Sequence, residues 1–206
     1  MSKLFFFDID GTLIDCNKGL YGISTINRNS FDQLKQKGHD VFLATGRCKC
    51  FITEGVMDYP FSGYVTCNGG YVEYKGDAIY KAVVPAKAIE ETIKLSKEHH
   101  FSFYFESSDY IYVLDKNDPQ HKEFARVWGM KDETIIDDFD PQEIETYIGM
   151  IVVNSKEDIP LLVETLSPYF DIQRHQTGCS FDLTLKGVSK AECYGGGHNC
   201  NKVWGY

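Results

Sequence analysis

Phe5-Phe6-Phe7-Asp8-Ile9-Asp10-Gly11-Thr12-Leu13 decides how the rest of this chain is read. The apolar run Leu4 to Phe7 leads straight into an acidic turn. A short continuous apolar run bounded by a turn predicts a strand buried on both faces. Asp8 and Asp10 then fall at the carboxyl end of that strand, where open parallel sheets hold their ligands. Carboxylates at i and i+2 can face one site if the backbone turns between them, and Gly11, with no Cβ, permits the turn. One carboxylate could attack an electrophile while the other moves a proton. Asp-x-Asp-Gly also occurs as a plain solvated turn. The apolar run before it and Thr12-Leu13 after it favour the site.

Outward from this stretch, Asn27 to Lys37 carries Phe31 and Leu34 at helical spacing, with Gly38 as a stop, which predicts an amphipathic helix. Val41-Phe42-Leu43-Ala44 is a second apolar run and ends in Thr45-Gly46-Arg47. Strand, helix, strand at this spacing predicts a βαβ unit and a parallel sheet. Phe51 to Met57 reads as a short helix. Tyr64 to Cys67 reads as a third strand, closed by Asn68-Gly69-Gly70. Tyr71 to Tyr74 and Ala78 to Ala82 predict a hairpin around Lys75-Gly76-Asp77.

The pattern changes after Pro85. Helices are predicted over Ala86 to His99, His121 to Trp128 and Glu157 to Leu166. Strands are predicted over Phe101 to Phe105, Tyr110 to Leu114, Ile148 to Val153, Phe170 to Arg174 and Phe181 to Leu185. The first two are aromatic-rich and alternate, which predicts a half-buried surface. Without the earlier βαβ rhythm, this part reads as an α+β insertion with an antiparallel sheet. The expected organisation is a core of residues 1–82 and 181–206 with an insertion at 83–180.

Composition narrows the function. The chain has 206 residues, 43% of them hydrophobic, enough for a sizeable core. A formal net charge of −9 argues against a general nucleic-acid binder. Seven cysteines and no charged-then-apolar leader pattern predict reduced thiols in a cytoplasmic protein. No apolar run approaches the ~20 residues of a membrane span, so no membrane partner is expected.

Four motifs in order resemble the Cof-like branch of the haloacid dehalogenase superfamily of phosphohydrolases. They are Asp8-Ile9-Asp10-Gly11-Thr12, Ala44-Thr45-Gly46-Arg47, Asn68-Gly69-Gly70 and Gly187-Val188-Ser189-Lys190. The resemblance covers residues 1 to about 190 and implies an α/β fold: a Rossmann-like core with a parallel sheet and an inserted α+β cap. It implies Asp8 as nucleophile through an aspartyl-phosphate, and Asp10 as the acid and base. Thr45 would bond a phosphoryl oxygen and Lys190 would place a positive charge beside Asp8. Gly11, Thr12, Gly46, Arg47 and Asn68 would line the phosphate site. Mg²⁺ would be held by the Asp8 carboxylate and the Asp10 carbonyl, donors that suit a hard cation with retained waters. Each residue also has a plainer reading. Thr45 fits an ordinary strand end, Lys190 a solvated surface, Arg47 a salt bridge and Asn68 a brace for its turn.

The chain departs from the family pattern after Lys190. The pattern continues with a helix, a strand and an acidic Gly-Asp-x-x-Asn-Asp motif that completes the Mg²⁺ site. Here Glu192 is the only acidic residue after Asp182, and four residues separate Lys190 from Gly195. That is too few for a parallel crossover, which needs about a dozen. Tyr194 to Tyr206 therefore reads as a foreign or frameshifted tail that leaves the first strand without neighbours on one side. Cys193, His198 and Cys200, taken with Cys48 or Cys50, match no strong zinc template.

The resulting expectation is a Mg²⁺-dependent phosphohydrolase acting on a small phosphorylated metabolite. The alternative is a truncated, weakly active or inactive phosphate-binding relative. A receiver-type phosphoacceptor fits less well, because of the large insert before Lys190. The substrate and the oligomeric state are not legible in the sequence.

Overall fold

Strand β1 (Leu4–Phe7) pairs in parallel with β2 (Asp40–Ala44), in the register Phe5 to Val41 and Phe7 to Leu43. The structure is a computed structural model describing residues 2–15, 18–128, 131–176 and 178–191. The tail expected to be foreign, with Glu192, Cys193, His198 and Cys200, lies outside the described residues. The described residues form two compact units. The first holds residues 2–15, 18–47, 52–81 and 189–191, and the second holds residues 48–51, 82–128, 131–176 and 178–188.

The first unit is an α/β layer. Helix α1 (Thr25–Gln36) connects β1 to β2. Its N-cap Ser24 accepts the Asn27 N–H, and Gly38 just past its end takes φ +79°, a left-handed conformation that suits glycine. Phe31 is the buried anchor of α1. Its ring lies 4.6 Å from that of Phe7, 5.3 Å from Tyr59 and 5.9 Å from Phe61. Val41 and Leu43 complete the same cluster, so the helix and the sheet bury one shared apolar layer. Helix α2 (Glu54–Met57) is shorter than the sequence predicts, because Lys49–Phe51 forms a separate 3₁₀ turn.

Strand β3 (Gly63–Thr66) extends the parallel pairing, and β4 (Tyr71–Tyr74) and β5 (Asp77–Lys81) add antiparallel strands. The sheet order is β1-β2-β3-β4-β5. Lys75 and Gly76 link β4 to β5 with φ +53° and +92°. Two consecutive positive φ values match the twist of a tight hairpin. One expectation changes. The four residues of β1 are half-buried rather than buried on both faces. Among the described residues β1 is an edge strand with β2 as its neighbour, so one flank lacks the adjoining side chains.

The second unit is α+β. Its sheet has the order β10-β11-β9-β6-β7-β8. The strands are β6 (Ser102–Glu106), β7 (Ile111–Tyr112), β8 (Ile135–Ile136), β9 (Ile148–Val152), β10 (Phe170–Arg174) and β11 (Ser180–Leu185). All neighbours are antiparallel except β7 and β8. Helices α3 (Ala86–His99) and α5 (Ile159–Leu166) pack Ile89, Leu95, Leu162 and Leu166 onto Phe103, Phe105, Ile151, Phe181 and Leu183. The other face of β6 carries Tyr104, whose ring meets Phe124 of α4 (Pro119–Trp128) at 4.4 Å. Residues 102 to 105 are therefore buried on both faces, where the alternation predicts a half-buried surface.

The expected boundary after residue 180 also moves. Strand β11 pairs with both β9 and β10, so residues 181–188 belong to the second unit. Its alternating Phe181 and Leu183 complete that unit's core, a role the sequence pattern alone could not assign.

Gly63 tests the first unit's packing. A Cβ there would run into the Phe42 ring and the backbone carbonyl of Glu73. A carbonyl fixed in a sheet cannot move aside, so Gly63→Ala is expected to cost about 1–3 kcal/mol. Urea unfolding of the two proteins measures it, and equal midpoints would contradict this packing.

Candidate active site

Asp8 is the first residue past β1, and a compact turn follows it. The N–H groups of Thr12, Leu13 and Ile14 all point to the Ile9 carbonyl, at 3.2, 2.9 and 3.1 Å. Gly11 takes φ +74° and sends its own N–H to Ile14 at 2.9 Å. No atom crowds the position of a Gly11 Cβ, so conformation alone demands glycine there. Ile9, Leu13 and Ile14 are buried beneath the turn, while Asp10, Gly11 and Thr12 face outward. The turn thus sorts its residues, with apolar anchors below and polar groups exposed above.

The end of β2 supplies the opposite wall. Thr45 is fully buried; its N–H donates to the Val65 carbonyl at 2.8 Å, and its hydroxyl accepts the Arg47 N–H at 3.1 Å. Arg47 then reaches Asp10 with two parallel bonds, Nε to Oδ2 at 2.9 Å and Nη2 to Oδ1 at 2.6 Å. Two-pronged guanidinium–carboxylate contacts fix geometry as well as charge. Arg47 is mostly buried and Asp10 about half-exposed, so solvent weakens the pair's contribution to stability. Lys190 Nζ lies 3.5 Å from Asp8 Oδ1, with both side chains partly exposed. Each carboxylate of the Asp-x-Asp pair therefore has its own cation.

Asn68 braces this corner. Cys67, Asn68 and Gly69 take φ values of +54°, +54° and +96° in succession. Such conformations cost energy for residues other than glycine and persist only where their surroundings enforce them. Here the Cys67 N–H donates to the Arg47 carbonyl at 3.0 Å and the Asn68 N–H to the Thr45 carbonyl at 3.3 Å. A Cβ on Gly46 would sit 2.8 Å from Asn68 Oδ1, so a larger residue at 46 would have to displace the Asn68 amide.

The sequence-predicted residues thus fall into three sets. Asp8 is ion-paired with Lys190 and Asp10 with Arg47, and Thr45, Gly46, Arg47 and Asn68 share one corner. Gly11 and Thr12 lie in the turn after Asp8. For Arg47 the ion pair, one of its two readings, is present. Sequence reasoning missed Val65 and Cys67, which act through backbone atoms and leave no side-chain signal. The Asn-Gly-Gly turn beside Cys67 was the available hint. Among the described residues no group of three or more His, Cys, Asp or Glu side chains could hold a metal ion. The Asp8 carboxylate and the Asp10 carbonyl fit Mg²⁺ in kind, as hard oxygen donors.

Comparison with known proteins places the chain. Residues 5–194 match the model of the haloacid dehalogenase-like hydrolases, and the chain belongs to this family. Among curated relatives, the Bacillus subtilis (strain 168) protein named "Putative phosphatase YkrA" is 32% identical over 108 residues, covering 52% of this chain and 41% of that one. A Streptococcus pyogenes serotype M6 protein named "Putative bifunctional phosphatase/peptidyl-prolyl cis-trans isomerase" is 31% identical over 193 residues, 92% of this chain and 39% of that one. The chain spans about two-fifths of the length of these two relatives. Of solved structures, the HAD subclass IIB sugar phosphatase BT4131 superposes with a TM-score of 0.71 at 23% identity, over 92% of this chain and 72% of that one. That likeness shows the fold, which agrees with the Rossmann-like core and added α+β unit expected from the Cof-like resemblance. No helix among the described residues is long and apolar enough to cross a membrane.

The Gly46–Asn68 contact can be tested with a double-mutant cycle. Gly46→Ala is expected to cost about 1–3 kcal/mol in the parent and less than half as much when Asn68 is already Ala, because the clashing oxygen is then gone. Urea unfolding of all four proteins reads the coupling, and equal costs in the two backgrounds would contradict it.

Proposed function

We propose that the chain is a phosphohydrolase acting on small phosphorylated metabolites, with Asp8 as nucleophile and Asp10 as proton carrier. The observation that carries this reading is the arrangement of ion pairs at the end of β1: Asp8 with Lys190 and Asp10 with Arg47. An Asp8 oxygen attacks phosphorus, and the bond from phosphorus to the leaving alcohol oxygen breaks. Asp10 gives that oxygen a proton. In the second half Asp10 takes a proton from water, the water oxygen attacks phosphorus, and Asp8 is released with inorganic phosphate. Splitting the reaction in this way replaces one difficult displacement with two easier ones.

Phosphoryl transfer depends chiefly on position and charge. The Lys190 ammonium offsets the repulsion between the Asp8 carboxylate and an incoming phosphate. Thr45 and the backbone of the Gly46 and Asn68 corner would receive phosphoryl oxygens. Gly11 and Thr12 would offer further polar contacts from the turn. Mg²⁺, held by the Asp8 carboxylate and the Asp10 carbonyl, would supply additional positive charge beside the phosphate. Arg47 takes one lone pair from each oxygen of Asp10, and the remaining lone pairs stay open to accept a proton.

A metabolite-sized substrate agrees with the negative net charge, which disfavours nucleic acid. Sugar phosphates are one such class, and the structural neighbour BT4131 is described as a sugar phosphatase. Residues 83–180 are proposed to act as a cap that selects among substrates and excludes water during turnover.

Asp8→Asn provides the test. An amide keeps the shape of the side chain but is a far poorer nucleophile. Hydrolysis of a generic aryl phosphate should fall by at least about a thousandfold, with an unchanged circular dichroism spectrum. Turnover by the variant at the parent rate would assign the chemistry elsewhere.

A further inference from the structure

Cys48 and Cys50 form a second group of reactive side chains that the phosphatase reading does not use. Their sulfur atoms lie 3.1 Å apart, as thiols rather than a disulfide. Cys48 is fully buried and Cys50 is half-buried. A 3₁₀ turn over Lys49–Phe51 holds the two on the same side: the Phe51 N–H donates to the Cys48 carbonyl at 3.0 Å, and the Cys50 N–H donates to the Ser108 carbonyl at 3.0 Å. The pair is thus pre-set in a conformation from which a sulfur–sulfur bond can form.

A carboxyl group stands beside the buried member. Glu106, at the end of β6, is hydrogen-bonded to Cys48 through its side chain. Asp182, on β11, is the other titratable group acting on Glu106, and Asp182 is itself paired with His175 Nε2 at 3.0 Å. Lys49 separates the two cysteines in the chain. Cys48, Cys50, Glu106 and Asp182 all belong to the second unit.

We propose that Cys48 and Cys50 are a dithiol site for thiol–disulfide exchange with a small disulfide such as oxidised glutathione, with Glu106 as the proton acceptor for Cys48. The half-buried Cys50 is the entry point. After the Cys50 thiol loses its proton to water, its thiolate attacks one sulfur of the glutathione disulfide and releases one glutathione thiolate, which takes up a proton from water, leaving a mixed disulfide on Cys50. Cys48 then gives its proton to the Glu106 carboxylate and attacks the Cys50 sulfur. The bond from Cys50 to glutathione breaks, and the second glutathione leaves as a thiolate. Two protein thiols are oxidised to one disulfide while one glutathione disulfide is reduced to two thiols.

Glu106 is matched to this role. Burial raises its pKa to about 8, Asp182 pushes in the same direction, and the Cys48 hydrogen bond opposes them. A carboxylate whose proton affinity is raised in this way is a better acceptor for a neighbouring thiol proton than an ordinary one. Below about pH 8 Glu106 is protonated and cannot accept. Closure of the disulfide therefore accelerates as pH rises through that value. A disulfide between residues two apart closes a small, strained ring, and strained disulfides are the readily reduced ones. The site is thus suited to reversible modification rather than permanent crosslinking.

The test uses the full chain mixed with oxidised glutathione, acid-quenched at intervals, alkylated and digested with trypsin. Cleavage after Lys49 separates the two cysteines, so a Cys48-Lys49 fragment stays attached only through a disulfide. The expected course is a glutathione adduct on Cys50 followed by a Cys48–Cys50 link, located by fragmentation. Cys48→Ser should stop at the adduct. Glu106→Gln should slow closure at pH 8 at least about tenfold and accumulate the adduct. Glu106→Asp keeps a carboxyl, should close at an intermediate rate, and serves if the amide variant does not fold. A first adduct elsewhere, a link from Cys48 to another cysteine, or parent-rate closure in both Glu106 variants would overturn the proposal.

Discussion

The parallel pairing of β1 with β2 is the constraint on which the candidate site depends. The register sets Phe7 beside Leu43, so both strands run out together. Asp8 emerges from one and Thr45-Gly46-Arg47 from the other. The Thr45 N–H bond to Val65 ties this corner to β3, the next parallel strand. A slip of one residue would turn every side chain of a strand to the opposite face. Asp8 and Asp10 would then lose their relation to Arg47. The buried layer of Phe7, Phe31, Val41 and Leu43 opposes that slip by fixing which residues of β1 face α1.

Charge is arranged around this frame with one cation for each acid. Removing Lys190 would leave the Asp8 carboxylate without the cation it is paired with. Arg47 serves differently. Its backbone lies within the Thr45 and Cys67 corner, while its guanidinium spans to the Asp10 side chain. The arginine therefore carries the rigidity of the β2–β3 corner across to the exposed Asp10 carboxylate. Positioning of this kind is what phosphoryl transfer demands most from a protein.

Much of the arrangement was legible in the sequence because the motifs are local. The apolar run, the acidic turn and Gly11 lie within nine residues, and helical spacing disclosed α1 through Phe31 and Leu34. What stayed hidden depends on partners distant in sequence. Alternation in Phe101 to Phe105 suggested one wet face, but α4 supplies Phe124 to cover Tyr104. The start of β11 looked like a return to the core until its pairing with β9 and β10 assigned it to the second unit. The Arg47–Asp10 pair spans 37 residues, and no local pattern chooses between a salt bridge and a phosphate contact for such an arginine. Glu106 was also unremarkable as a strand residue, since its place beside Cys48 arises only in the fold.

The central claim is that Asp8 receives the phosphoryl group. The direct measurement is rapid acid quenching of the chain during turnover of an aryl phosphate with Mg²⁺ present, followed by mass spectrometry of the peptide containing Asp8. The account predicts a phosphoryl adduct on Asp8 that forms before inorganic phosphate is released at the steady rate and decays as substrate runs out. Turnover with no adduct on that peptide, or an adduct that maps to Asp10 or to another residue, would contradict it.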